Sequence, residues 1–223
     1  PCERGACSDP LVLDVWTGNY AACAVLDGTP TELWCWGDDD DVYRTSLNCN
    51  QYAPGNTDRP RLVTSRLARF DTTMSDVASM AMMEKATCAQ REEGRWCWGW
   101  NGVGQVGSGS GDGQQEPQRV AGGAERLAAS DRGACAVDDG RVECWGLIGP
   151  FQSVSAQHVV DGVRSEAIAC GADHCCAVHQ DGRVVCWGSN GDGRLADGTS
   201  ESRDTPACVK DGTDCLTGDF VQI

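Results

Sequence analysis

The sequence is poor in the residues that usually fill a core or an active site. Its 223 residues include only three Phe, three Tyr and three His. The Cys-x-x-Cys spacing of zinc knuckles is absent, which sets metal below disulfides as a reading of its cysteines. No apolar run approaches the ~18 residues that a membrane-spanning helix needs, so membrane insertion is not expected. Positive charge is scarce. Eighteen Lys and Arg face 33 Asp and Glu, a net charge of −15. Such a surface repels phosphate backbones, which argues against nucleic acid as a partner. Neither a Gly-x-Ser-x-Gly elbow nor a His-Glu-x-x-His pair occurs, so no enzyme is expected.

Three residue types are plentiful: 15 Cys, 28 Gly and eight Trp. That cysteine density points to an oxidising compartment, hence secretion or the cell surface. An opening at Pro1 rather than Met fits removal of an export leader. Glycine-rich turns between short apolar runs point to an all-β fold.

The bias in Trp and Cys comes from an internal repeat. Four segments align: Cys23-Ala-Val to Cys35-Trp-Gly37, Cys88-Ala-Gln to Cys97-Trp-Gly99, Cys135-Ala-Val to Cys144-Trp-Gly146, and Cys176-Ala-Val to Cys186-Trp-Gly188. From Trp36 to Trp98, Trp145 and Trp187 the intervals are 62, 47 and 42 residues, the size of a propeller blade. The expected architecture is one domain over 1–223, with blades at 11–75, 76–122, 123–162 and 163–206. Residues 207–223 would start a further blade or supply a closing strand. The β-propeller of about four blades would be partial, or completed by missing sequence or a partner chain.

Asp139-Gly140 is a two-residue hairpin signal. A turn there sets Val137 opposite Val142 and Cys135 opposite Cys144, close enough for a disulfide after slight pinching. The same register pairs Cys176 with Cys186 across a three-residue loop and Cys23 with Cys35 across a five-residue loop. Cys88 and Cys97 make the fourth pair. Cys170 with Cys175, Cys208 with Cys215, and Cys2 with Cys7 are further local pairs, which strands Cys49.

The run from Cys176 to Thr199, Cys-Ala-Val-His-Gln-Asp-Gly-Arg-Val-Val-Cys-Trp-Gly-Ser-Asn-Gly-Asp-Gly-Arg-Leu-Ala-Asp-Gly-Thr, resembles the regulator-of-chromosome-condensation repeat. Trp98-Gly-Trp-Asn-Gly-Val-Gly-Gln-Val-Gly107 is similar to that family's Trp-Gly-x-Asn-x-x-Gly-Gln-Leu-Gly signature. The paired cysteines look like the secreted bacterial version. The resemblance implies a propeller of four-stranded blades, seven in a complete ring. The motif is broken in repeat one by Asp38-Asp-Asp-Asp41 and in repeat three by Leu147-Ile-Gly-Pro150; in repeat four Arg194 and Ala196 replace its Gln and Gly. The founding member's nuclear role is not carried over to so acidic and disulfide-rich a chain.

The expected function is a non-catalytic extracellular interaction or assembly module. Its partner would be a protein or further copies of itself. A carbohydrate-binding lectin and an inhibitor of a secreted enzyme are the alternatives. The insertion from Asp38 to Thr73 is the expected contact element, since long loops on rigid scaffolds carry function. The contact candidates are Asp38, Asp39, Asp40, Asp41, Cys49 and Trp100, with Trp34 and Trp96 expected to be exposed on the other phase from the Trp-Gly tryptophans. No cofactor is expected. Calcium is the sole candidate, but Asp38–Asp41 lacks alternate ligand spacing and Asn190-Gly-Asp-Gly193 matches a structural turn. His174 beside Cys175 would suggest a nucleophile pair only if Cys175 were a free thiol.

Overall fold

The computed structural model describes residues 2–3, 6–7, 11–18, 21–27, 31–37, 57–62, 76–111 and 113–218. Asp38–Asp41, Cys49 and Phe220–Ile223 lie outside these residues. Among the described residues there is no helix.

A short ribbon, β1 (Cys2–Glu3) with β2 (Ala6–Cys7), sets Cys2 opposite Cys7. The first four-stranded sheet comprises β3 (Val12–Thr17), β4 (Ala21–Leu26), β5 (Glu32–Gly37) and β6 (Thr57–Leu62). The second holds β7 (Val77–Met82), β8 (Ala86–Arg91), β9 (Gly94–Gly99) and β10 (Gln114–Val120). The third holds β11 (Arg126–Ala129), β12 (Arg132–Asp138), β13 (Arg141–Ile148) and β14 (Phe151–Val160), and the fourth β15 (Val163–Cys170), β16 (His174–His179), β17 (Val184–Gly188) and β18 (Arg203–Cys208). A last ribbon pairs β19 (Lys210–Asp211) with β20 (Asp214–Cys215). Each four-stranded sheet is an antiparallel meander in chain order, the form of a propeller blade.

Local chemistry explains the hairpins. Asp139 and Gly140 both have positive φ, 46° and 73°, the backbone of a type I′ turn, whose twist suits two antiparallel strands. That turn puts Cys135 opposite Cys144. Six disulfides join described residues: Cys23–Cys35, Cys88–Cys97, Cys135–Cys144, Cys170–Cys175, Cys176–Cys186 and Cys208–Cys215. Each of the four central hairpins is thus closed by one bridge.

Successive strand residues point to opposite faces, so the Cys and Trp of each Cys-Trp-Gly face opposite ways. The cysteines face the following blade and the tryptophans the preceding one. Cys23 and Cys35 share a core with Trp96 and Trp98 of blade two. Cys88 and Cys97 share one with Trp145 of blade three. Cys135 and Cys144 share one with Trp187 of blade four. Three cores therefore link blades in chain order, and no core cluster of described residues joins blade four back to blade one. The four described sheets form an open arc.

Candidate interaction site

Two loops that follow a Trp-Gly are built alike. Asn101 and Asn190 are fully buried. The Asn101 side-chain oxygen accepts from the Val106 N–H at 2.8 Å, and its amide donates to the Ser110 carbonyl at 2.8 Å. Asn190 repeats this, accepting from Leu195 N–H at 2.9 Å and donating to the Thr199 carbonyl at 3.0 Å. A bond from the Asn to the residue five positions on ties each loop into a compact turn. The Asn190 side-chain oxygen is thus committed to a backbone donor.

The two loops differ at the fourth position after the Asn. Gln105 is buried and accepts from Val103 N–H at 3.0 Å. Its backbone carbonyl also accepts from Trp145 Nε1 at 2.7 Å, which seats the tryptophan of the next blade. Arg194 instead reaches outward to Asp173, 2.7 Å away, and to Asp192. In the third repeat Leu147-Ile-Gly-Pro150 replaces the loop, and Trp187 Nε1 finds no acceptor there.

Asp197 braces the fourth loop. It accepts from the Asn190 amide, the Thr199 N–H and hydroxyl, and the Arg203 guanidinium. Burial alone would raise its pKa, but the hydrogen bonds from Thr199 and Arg203 outweigh burial and hold it at about 2, below the ordinary 3.8. A carboxyl depressed in the folded state stabilises the fold above its unfolded pKa and loses that contribution as pH falls towards its folded pKa. The gap in melting temperature between the wild type and Asp197→Asn is therefore expected to be wide at pH 6 and to close between pH 3.8 and about 2. Thermal melts of both proteins across that range read this directly.

Trp96 is not exposed. Residues two apart on a strand share a face, so Trp96 lies on the same side as Trp98, inside the core between blades one and two. Trp34 likewise shares the face of Trp36, and both are half-buried because no described blade stands in front of them. Trp100 is half-buried, with its backbone N–H on the Lys85 carbonyl. Cys175 is bonded to Cys170, so no thiol stands beside His174.

The exposed apolar surface concentrates on one strand. Leu11 is 68% exposed, Val12 57%, Leu13 55% and Val15 51%. The corresponding first strands of the other blades are buried, as Met80 and Met82, Leu127 and Ala128, and Ala167 and Ile168 show. Val15 lies beside Ala24, which lies beside Trp34, and Ala22 lies beside Trp36. This apolar face looks away from blade two, and β3 is the edge strand of its sheet among the described residues. Sequence patterning did not single it out, because an interior first strand carries the same residue types.

Residues 166–194 match the Regulator of chromosome condensation (RCC1) repeat. The human E3 ubiquitin-protein ligase HERC2 is 27% identical over 236 residues, covering 94% of this chain and 4% of that protein. The chain therefore spans a small fraction of that relative's length. The crystal structure of human WBSCR16 superposes with a TM-score of 0.70 at 21% identity, covering 91% of this chain and 54% of that one. Yeast RCC1 (Prp20), in its structure bound to Kap60, superposes with a TM-score of 0.71 at 16% identity, covering 92% and 50%. At these identities the likeness is one of fold. The chain carries a repeat of RCC1 type and has the propeller architecture.

Proposed function

We propose that this chain is a non-catalytic protein-interaction module, exported to an oxidising compartment, that engages its partner through the bare face of blade one. The carrying observation is the exposed apolar strand at Leu11–Val15, flanked by half-buried Trp34 and Trp36. Contiguous apolar surface of this kind marks an association site on a soluble protein, and an open strand edge adds unpaired backbone donors and acceptors. The six disulfides support an oxidising location. Yeast RCC1 bound to Kap60 is a precedent for a propeller of this type holding a protein.

The simplest partner is a second copy, since each chain offers the same face. Sedimentation velocity over a concentration series is expected to show self-association. Val12→Asp with Val15→Asp is expected to weaken it at least tenfold while leaving the melting temperature nearly unchanged, because both side chains are exposed. A chain that stays monomeric throughout, or an unaffected double variant, would remove this surface from consideration.

A further inference from the structure

We propose that Cys135, Cys144, Cys170 and Cys175, once reduced, form a four-thiolate site for a single zinc-class divalent cation at the seam between blades three and four. The site arises from one departure in the repeat. The residue just before the hairpin cysteine lies towards the preceding blade; it is Thr87 in blade two and Ala134 in blade three, but Cys175 in blade four. Its neighbour on the adjacent strand is Met82, Ala129 and Cys170 respectively. Blade four therefore sets a second pair of sulfurs against the Cys135–Cys144 bridge of blade three.

The two pairs touch. Cys135 Sγ is 3.8 Å from Cys175 Sγ, and neither carries a proton, so this is a van der Waals contact. The sulfurs of Cys135, Cys170 and Cys175 all lie within 4.8 Å of one another, and Cys144 is bonded to Cys135. A tetrahedral cation with metal–sulfur bonds of about 2.3 Å has sulfur–sulfur edges of about 3.8 Å. One such edge is already in place between two different sheets. Three of the four sulfurs are within 4.8 Å of one another; Cys144 lies outside that group, so its side chain, once freed from Cys135, must turn in to complete the set. Cys135, Cys144 and Cys175 are fully buried, while half-buried Cys170 opens the site to solvent. An all-sulfur set selects zinc or cadmium over calcium or magnesium.

The balance is explicit. A phosphine or thiol reductant supplies four electrons, four protons are taken up, and two disulfides become four thiols. Binding one divalent cation then releases four protons and leaves a tetrathiolate of charge −2, open to water on the Cys170 side.

The test uses the whole chain reduced by tris(2-carboxyethyl)phosphine without oxygen and titrated with cobalt(II), then zinc(II). One equivalent of tetrahedral thiolate–cobalt absorption is expected, displaced by zinc. It should persist in Cys176→Ser/Cys186→Ser, which removes two sulfurs from the opposite face of blade four, and vanish in Cys170→Ser/Cys175→Ser. Single Cys170→Ser should keep binding with a weaker spectrum of three sulfurs and one oxygen. Circular dichroism in parallel reports whether the reduced sheets survive. No cobalt signal, or equal binding by both double variants as an unfolded polythiol would show, overturns the proposal.

Discussion

Replacing Trp145 by Ala is expected to cost about 4 kcal/mol, a large share of the stability of a domain of this size. Trp145 is fully buried between blades two and three. Its indole N–H donates to the Gln105 carbonyl at 2.7 Å, and the Arg95 guanidinium lies over its ring, 4.2 Å from the centroid. Arg95 is itself buried, and desolvation lowers its pKa to about 10 although Glu143 and Asp138 pull it back up. It remains charged at neutral pH, so removing the ring also strips cover from a buried cation. Trp36→Ala, at the aligned position in blade one, is expected to cost less than about 1 kcal/mol, because Trp36 is only half-buried and no described blade stands before it. Urea denaturation of both variants measures the difference. Equal losses would mean that blade one is covered as blade three is, and the open arc would be wrong.

Gly146→Ala is expected to cost about 3 kcal/mol, from backbone strain of roughly 1–3 kcal/mol and overpacking of similar size. Its φ is +80°, and an added Cβ would lie 2.5 Å from the Arg132 carbonyl oxygen and 2.6 Å from the Gly133 Cα, both backbone of the adjacent strand. Backbone cannot move aside as a flexible side chain can. Gly111→Ala is the control. Nothing lies within 4 Å of that position, and the substitution should leave the melting temperature within a degree or two. A Gly146→Ala protein melting with the wild type would show that the Trp-Gly glycine recurs for some reason other than room.

The hairpins were legible because their signals are local. Asp139-Gly140 specifies a turn, the turn specifies a register, and the register places Cys135 against Cys144 without reference to the rest of the chain. The faces of the tryptophans were less legible. Trp34 and Trp96 differ in burial although both stand two residues before the Trp of a Trp-Gly, because blade one stacks in front of Trp96 and no described blade stands in front of Trp34. Alternation along a strand names a face, but a neighbour is needed to cover it.

Covalent and turn chemistry acts between residues close in the chain, so the sequence alone determined that this protein is an all-β series of disulfide-closed repeats. Stacking acts between residues some 40 positions apart, as in the contact of Cys135 with Cys175. Tertiary structure alone decided which blade faces are shared, that Leu11–Val15 is exposed among the described residues, and that two disulfides meet at one seam. The physical reason is that burial belongs to a pair of surfaces, and a sequence writes down only one of them at a time.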